Sequence, residues 1–407
     1  MGEWKRVKLG EICSKIGSGA TPTGGKSAYK DDGVSLIRSQ NVLDMSFAMA
    51  GLAHIDDEQA RKLDGVTVCG GDVLLNITGD SVARCCIVPE HVLPARVNQH
   101  VCILRPRPDL AENRYVEYFL IAIKDRLLTL ASAGATRNAL TKETIQNLEV
   151  SLPDLPTQRR IAAVLGALDD KIEVNRKICE NLEAQAQALF KAWFVDFEPF
   201  GGKRPEGWKE VSLLDVVELF DMKRIPLSSR EREKRKGQFP YYGATSIMDY
   251  VDDYLFDGVY LLMGEDGSVA REDGIPYLQY ISGKFWVNNH AHIMQGRNGY
   301  STEMLWCALS QTDISTFVTG AVQPKLSQTN MQMIKVPILA MGEMRRFGER
   351  VQPMFDMLRT KREESRALAA MRDALLPKLM SGELAVEKVE VGAASVKTRH
   401  GIGTVNR

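Results

Sequence analysis

The chain has 407 residues, too many for one hydrophobic core and suited to two to four domains. Hydrophobic residues make up 44% and charged residues 26%, ordinary values for a globular protein, and 52 basic side chains balance 52 acidic ones. That balance excludes a histone-like basic protein, but a local basic face is still enough to bind nucleic acid.

Residues 1–155 read as a mixed α/β block with many short strands. Val34-Ser35-Leu36-Ile37, Asp72-Val73-Leu74-Leu75 and Val101-Cys102-Ile103-Leu104 carry the strand pattern. Gly17–Gly25 and Gly70-Gly71 are turn-rich. A helical pattern covers 113–131 through Tyr115, Tyr118, Phe119, Leu127 and Leu128, and Pro153 and Pro156 close the block. The clearest periodicity follows within 156–198. Ile161, Leu165, Leu168, Ile172, Asn175, Cys179, Leu182, Ala186, Leu189 and Trp193 alternate four and three residues apart, the seam of a coiled coil. Pro199, Gly201-Gly202 and Pro205 mark the passage into a second block at 199–340. A second helix is expected at 341–381, with Pro353 predicted to kink or delay it. Residues 382–407 read as a poorly ordered tail.

The second half repeats the first. Trp4-Lys5-Arg6-Val7-Lys8-Leu9 recurs as Trp208-Lys209-Glu210-Val211-Ser212-Leu213, and Val97-Asn98-Gln99-His100 as Val287-Asn288-Asn289-His290. From Gly134 to Phe194 the chain aligns without gaps to Gly320–Met380. Such a duplication can fold with internal two-fold pseudo-symmetry. The two helices then run antiparallel. Ile161 faces Leu379, Leu165 faces Leu375, Ile172 faces Leu368, Leu182 faces Leu358, Leu189 faces Val351 and Trp193 faces Phe347. At the middle Asn175 meets Ser365 and Cys179 meets Lys361, polar layers that fix register. Leu168 opposite Arg372 is the one mismatch. A helix of this length spans roughly 58 Å and would hold two blocks about one to two DNA turns apart. The competing reading is two unrelated amphipathic helices, each packed on its own block.

These residues resemble a known family. Arg159-Arg160-Ile161, Leu168-Asp169-Asp170-Lys171-Ile172, Asn175-Arg176 and Leu182-Glu183, then Ala188 through Phe197, resemble the central conserved region of the specificity subunits of Type I restriction–modification systems. Leu375-Leu376-Pro377-Lys378-Leu379-Met380-Ser381-Gly382-Glu383-Leu384 resembles the C-terminal one. Trp4-Lys5, Leu9-Gly10-Glu11-Ile12 and Gly19-Ala20-Thr21-Pro22 resemble the opening of a recognition domain. The second block departs from that opening, with Lys223-Arg224-Ile225-Pro226 in place of Gly-x-Thr-Pro. The resemblance covers about residues 3–385. It implies an α+β fold: two pseudo-symmetric α/β target-recognition domains separated by two long antiparallel coiled-coil helices. It further implies a non-catalytic subunit that binds double-stranded DNA at an asymmetric bipartite site, one half-site per domain. The helix pair would set the gap and dock two DNA-methyltransferase (modification) subunits. Restriction/translocase subunits are possible further partners. No cofactor is expected in this chain; S-adenosylmethionine, ATP and Mg would sit on the partners.

DNA contacts need Arg, Lys, Gln and Asn on loops. The candidates are Arg38, Gln40 and Asn41 at a strand end, Arg84 and its repeat counterpart Arg271, and Arg137 with its counterparts Gln323 and Lys325. Tyr242 sits beside a tight turn. Each segment also reads as an ordinary exposed loop, and the basic run Arg230–Lys236 as a solvated face.

Other chemistry finds little support. Neither an Asn/Asp-Pro-Pro-Tyr/Phe motif nor a Gly-rich adenosylmethionine loop is present, so a self-contained methyltransferase is not expected. Ala20-Thr21-Pro22-Thr23-Gly24-Gly25-Lys26-Ser27 imitates a phosphate loop, but Ala stands in the first Gly position and a turn follows instead of a helix. His290 and His292 share a strand face, with no metal-ligand cluster near them in sequence, so no metal site is expected. No apolar run reaches about 18 residues, Met1-Gly2-Glu3-Trp4 is no signal peptide, and the seven cysteines lack CxxC spacing. A cytoplasmic protein with reduced thiols is expected. Alternatives to the family reading are a stand-alone coiled-coil DNA-binding scaffold without methyltransferase partners, and an ATPase using the Lys26 loop.

Overall fold

The computed structural model describes residues 4–132, 139–320, 322–392 and 395–398. The chain divides into two units. Unit 1 comprises Met1–Glu173 and Arg366–Arg407; unit 2 is Val174–Ser365. The boundary falls inside both long helices, Leu155–Phe194 and Met341–Ser381, so each unit holds one half of each. The fold class is α+β.

In unit 1, Cys13–Ser18, Val101–Pro106, Val73–Asn76 and Cys85–Ile87 form an antiparallel sheet in that order. Val73–Asn76 is buried at every position, so its Val73-Leu74-Leu75 run shows no alternation, and the buried Asn76 that ends it is hydrogen-bonded to the Ser39 carbonyl. A second sheet orders Ala53–Ile55, Val34–Ile37, Ala95–Val97 and Thr67–Val68, with a parallel pair between Val34–Ile37 and Ala95–Val97. Lys5–Lys8 pairs with Glu149–Leu152 and leads the chain into the first long helix. The expected 113–131 helix is two helices, Asn113–Ala122 and Lys124–Ser132.

Unit 2 repeats this plan with one larger sheet. Its order is Val217–Leu219, Ala291–Gly296, Phe256–Gly264, Leu278–Val287, Lys236–Tyr242 and Ile247–Val251. Lys209–Ser212 pairs with Lys335–Ile338 as Lys5–Lys8 does with Glu149–Leu152. The Trp-initiated repeats are therefore the strands that close each block onto its long helix.

The first long helix begins where Asp154 accepts the Thr157 N–H at 3.0 Å and Pro156 supplies a preset φ. The second ends at Gly382, whose φ of +76° suits a glycine stop and which lies against the Trp4 ring. Pro353 does not delay the second helix, which runs unbroken from Met341 to Ser381. Proline in a helix costs about 3 kcal/mol. Here Pro353 and Glu349, whose carbonyl loses its partner, are both exposed, so water can satisfy the freed group.

The helices pair antiparallel within each unit. In unit 1, Ile161, Leu165 and Leu168 share a core with Leu375 and Leu379, and Leu368 packs against it. Ile172 is half-buried. In unit 2, Trp193 lies 5.6 Å from Phe347, which also meets Phe190 and Phe194 edge-on. Val351 and Leu358 are buried beside them, with Leu182 and Leu189 partly covered. Burying aromatic and aliphatic side chains of this size is worth about 1.5–3 kcal/mol each. Both helices also share the core of the adjoining block, so the two sequence readings of the helices are both partly met.

The polar layers carry hydrogen bonds outside the expected pairs. Asn175 donates to Glu364, the neighbour of Ser365, at 3.1 Å. The Cys179 thiol contacts the Leu358 carbonyl, while Lys361 turns to Glu364. Arg372 is no mismatch: it bonds Asp169, the neighbour of Leu168, at 2.7 Å. The segment after the second helix is not a loose tail over its described part. Val386 and Val389 enter the unit 1 core, and Val389–Gly392 pairs with Ser395–Thr398. No described helix is long and apolar enough to cross a membrane.

Candidate nucleic-acid interface

The repeated Val-Asn-Gln/Asn-His motif builds the same turn in both units. Asn98 Oδ1 accepts the His100 N–H at 3.1 Å, and Asn288 Oδ1 accepts the His290 N–H at 2.8 Å. Both asparagines are buried, so they fix the turn and do not face a ligand. Each turn then receives a second loop. Ile77 N–H bonds the His100 carbonyl and Leu140 N–H bonds the Ile77 carbonyl. In unit 2, Glu265 N–H bonds the His290 carbonyl and Leu326 N–H bonds the Glu265 carbonyl. Strand register makes the correspondence explicit: Val101 opposes Asn76 as Ala291 opposes Gly264. Three loops thus meet at one strand end in each unit.

On this shared backbone the side chains differ. In unit 1, Thr21 donates to Gln99, Gln99 bonds His100 at 3.0 Å, and His100 bonds Thr78 at 2.6 Å. Gly19 packs so tightly that a Cβ would lie 1.8 Å from the Val97 carbonyl oxygen, which explains the glycine of the Gly-Ala-Thr-Pro signature. The segment resembling a phosphate loop carries only a 3-10 turn, Gly25–Ala28, and the next regular element is a strand, Val34–Ile37.

Unit 2 replaces the close backbone approach with charge. Asp221 is 7% exposed; His292 donates to its Oδ2 at 2.7 Å, Gln328 to the same oxygen at 2.8 Å, and the Ile293 N–H to Oδ1 at 2.9 Å. His292 Nε2 bonds the Leu326 carbonyl at 2.8 Å. Arg224 bonds Glu265 and also donates to the carbonyls of Asp221 at 3.0 Å, Asn289 at 3.3 Å and Ala291 at 2.9 Å. Burial pushes the Asp221 carboxyl up, but these donors outweigh it and hold the group below its ordinary range. Asp266 faces His290, and Lys325 reaches Glu265 at 3.6 Å.

The sequence placed no carboxylates beside His292; the fold brings Asp221 and Glu265 there, with donor atoms of all three within 4.8 Å of one another. These three could ligate a cation. Arg224 already presents a guanidinium to both carboxylates, and both ring nitrogens of His292 are engaged. His290, the other member of the pair, belongs to Asp266 instead.

The predicted contact residues divide sharply. Asn41 is fully buried: its amide accepts the Arg38 N–H at 3.0 Å and donates to the Ala48 carbonyl at 2.9 Å, so it braces the loop. Tyr242 lies in a hydrophobic core against Phe285 and offers no ring to a base. Arg38 is half-buried, directed at the Gly51 carbonyl and over Tyr29. Gln40 is exposed, with its amide 3.2 Å from the Gly51 carbonyl. That loop is tied to the three-loop corner through Asn76, which donates to the Ser39 carbonyl at 2.8 Å. Arg84 is half-buried on the 77–84 turn. Arg271 is exposed and paired with Asp273, while Gln323 and Lys325 are exposed on the loop joined to Gly267. Arg137 lies outside the described residues. In the basic run, Arg232, Arg235 and Lys236 are committed to Asp249, Asp252 and Asp253. Arg224, Asp221, Glu265, Thr21, Thr78 and Gln99 were not among the contact candidates read from sequence. Thr21, Gln99 and Arg224 stood there only as members of the signature, the Val-Asn-Gln/Asn-His repeat and the Lys-Arg-Ile-Pro departure; Asp221, Glu265 and Thr78 carried no such signal.

Comparison with known proteins adds a family. The model of the Type I restriction modification DNA specificity domain matches residues 1–184 and again 205–364. The chain is 24% identical over 419 residues to the Type I restriction enzyme MjaIX specificity subunit of Methanocaldococcus jannaschii, covering 95% of each. It is 28% identical over 237 residues to the HindI specificity subunit of Haemophilus influenzae, covering 55% of this chain and 48% of that one. The crystal structure of a Type I restriction–modification S subunit from M. genitalium shares the fold, with a TM-score of 0.53 at 18% identity, covering 93% of this chain and 96% of that one.

Proposed function

The chain belongs to the family of Type I restriction–modification specificity subunits, and from that membership we propose that it reads an asymmetric bipartite DNA site. Each unit reads one half-site. The antiparallel helix pair sets the gap and docks two modification subunits. The chain itself carries no catalytic group. S-adenosylmethionine, ATP and Mg belong to partner subunits, and restriction/translocase subunits complete the assembly.

One observation carries this reading. The same three-loop corner is built twice, on the same backbone bonds, with different side chains in each unit. Equal scaffolds with unequal lining suit two unlike half-sites. Exposed Arg271, Gln323 and Lys325 supply cationic and amide donors for phosphates and base edges in unit 2; Gln40, Arg84 and the Thr21–Gln99 pair do so in unit 1.

The test is co-expression with a Type I modification (methyltransferase) subunit from the same host, followed by sequencing of modified adenines. Co-purification of the two, and a two-block motif that disappears without this chain, is the expected result. A chain that purifies alone and leaves the methylation map unchanged would instead be a stand-alone DNA-binding scaffold.

A further inference from the structure

The charged corner of unit 2 has no counterpart in unit 1. Strand register places Cys102 where unit 2 has His292, and the matching bonds to the His100 and His290 carbonyls place Ile77 where it has Glu265. Unit 1 holds its corner with Thr21, Thr78, Gln99, His100 and the Gly19 backbone. Unit 2 holds the same corner with two carboxylates, an imidazole and the Arg224 guanidinium, which is 15% exposed. The groups come from four segments: 221–224, 265–266, 289–293 and 326–328. Three of these lead directly to exposed tips. Met222 is 97% exposed beside the buried Asp221, and exposed Lys223 follows it. Lys325 precedes Leu326, whose carbonyl accepts from His292. The 265–271 turn ends in exposed Arg271.

Resting on the half-site reading above, we propose that this buried ionic knot is a positioning element for one half-site only. It sets the Met222-Lys223 tip, the Arg271 turn and Lys325 relative to one another, with Arg224 as its central residue. Arg224 is suited to this by its fork. One planar group spans a carboxylate and three carbonyls, which a lysine ammonium cannot reproduce. Removing it leaves Glu265 with only the longer Lys325 and His292 contacts and Asp221 with His292 and Gln328, and the tips lose their common anchor.

The test uses the full chain expressed with its modification subunits, with modified adenines mapped by sequencing. Wild type gives two specified blocks. Arg224→Met is expected to lower base discrimination about ten-fold or more in one block, leaving the other block and the gap unchanged. Arg224→Met with Glu265→Met, which removes both charges and keeps apolar bulk, is expected to recover most of it. Arg224→Lys is expected to recover little. Thermal unfolding confirms that each variant is folded. Should Arg224→Met fail to accumulate, Glu265→Gln carries the same one-block expectation. A motif identical to wild type in the folded single variant, or equal loss in both blocks, overturns the proposal. A wild-type map without a two-block motif overturns the half-site reading, and this inference with it.

Discussion

Arg372 on the second long helix donates to Asp169 on the first at 2.7 Å, and Tyr118 of the same unit donates to the other oxygen of that carboxylate at 2.5 Å. One carboxylate therefore ties both long helices to the helix Asn113–Ala122 of the globular block. Arg372 and Asp169 are each 14% exposed at the side chain. Asp169→Ala leaves the buried Tyr118 phenol without its acceptor, while Arg372 keeps Asp373. The expected cost is about 2 kcal/mol, read as a fall in the denaturation midpoint.

Asn175 sits fully buried at the seam, and its Oδ1 has no partner while its amide donates to Glu364. Asn175→Leu should raise stability by about 1–2 kcal/mol, because Glu364 keeps Lys361 and an unsatisfied acceptor disappears. Thermal melts of the two proteins decide it. An unchanged or lower midpoint would mean that leucine bulk does not fit this layer.

Burial raises the Glu117 carboxyl to about 7, and the nearby Asp169 carboxylate adds to the effect. The folded state thus binds a proton that the unfolded state releases above about pH 4.5. Stability contributed by this group is fully present below that value and falls as pH rises toward 7. Glu117→Gln keeps an acceptor for the Ile87 N–H and removes the charge. Its advantage should be absent near pH 4 and reach about 2–3 kcal/mol at pH 8, measured by urea titration across that range.

Asn41 and Lys325 were equal candidates in sequence and should behave oppositely. Asn41→Ala removes a loop brace and should cost about 2 kcal/mol of stability. Lys325→Ala should leave the melt unchanged, weaken DNA binding across sequences and reduce the salt-dependence slope by about 1. Anisotropy titrations at several salt concentrations check this.

If the helix pair is the ruler, a heptad added to each long helix at the Leu182/Leu358 layer preserves seam phase. It lengthens the pair by about 10 Å. The unspecified gap in the methylation map should then grow by about three base pairs. An unaltered gap with a folded, active complex would assign the spacing to something other than the helices.

Local sequence fixed the helices, their antiparallel order and the paired opening strands. Heptad spacing is a short-range pattern, and the ungapped internal repeat is legible in the sequence without the fold. Taken with a two-fold relation between the halves, they place Trp193 against Phe347 and Ile161 against Leu379, and the fold bears these contacts out. The tertiary structure decided everything that depends on which polar groups meet. Asp221 and His292 are 71 residues apart, yet they share a buried hydrogen bond. Arg224 reads in sequence as a departure from a signature and proves to be the centre of a corner. Tyr242 and Asn41 look like readers and are buried. Periodicity encodes which face of an element is apolar. It carries no record of which distant loop a buried charge will need as its partner, and only the closed chain brings those groups within hydrogen-bond range.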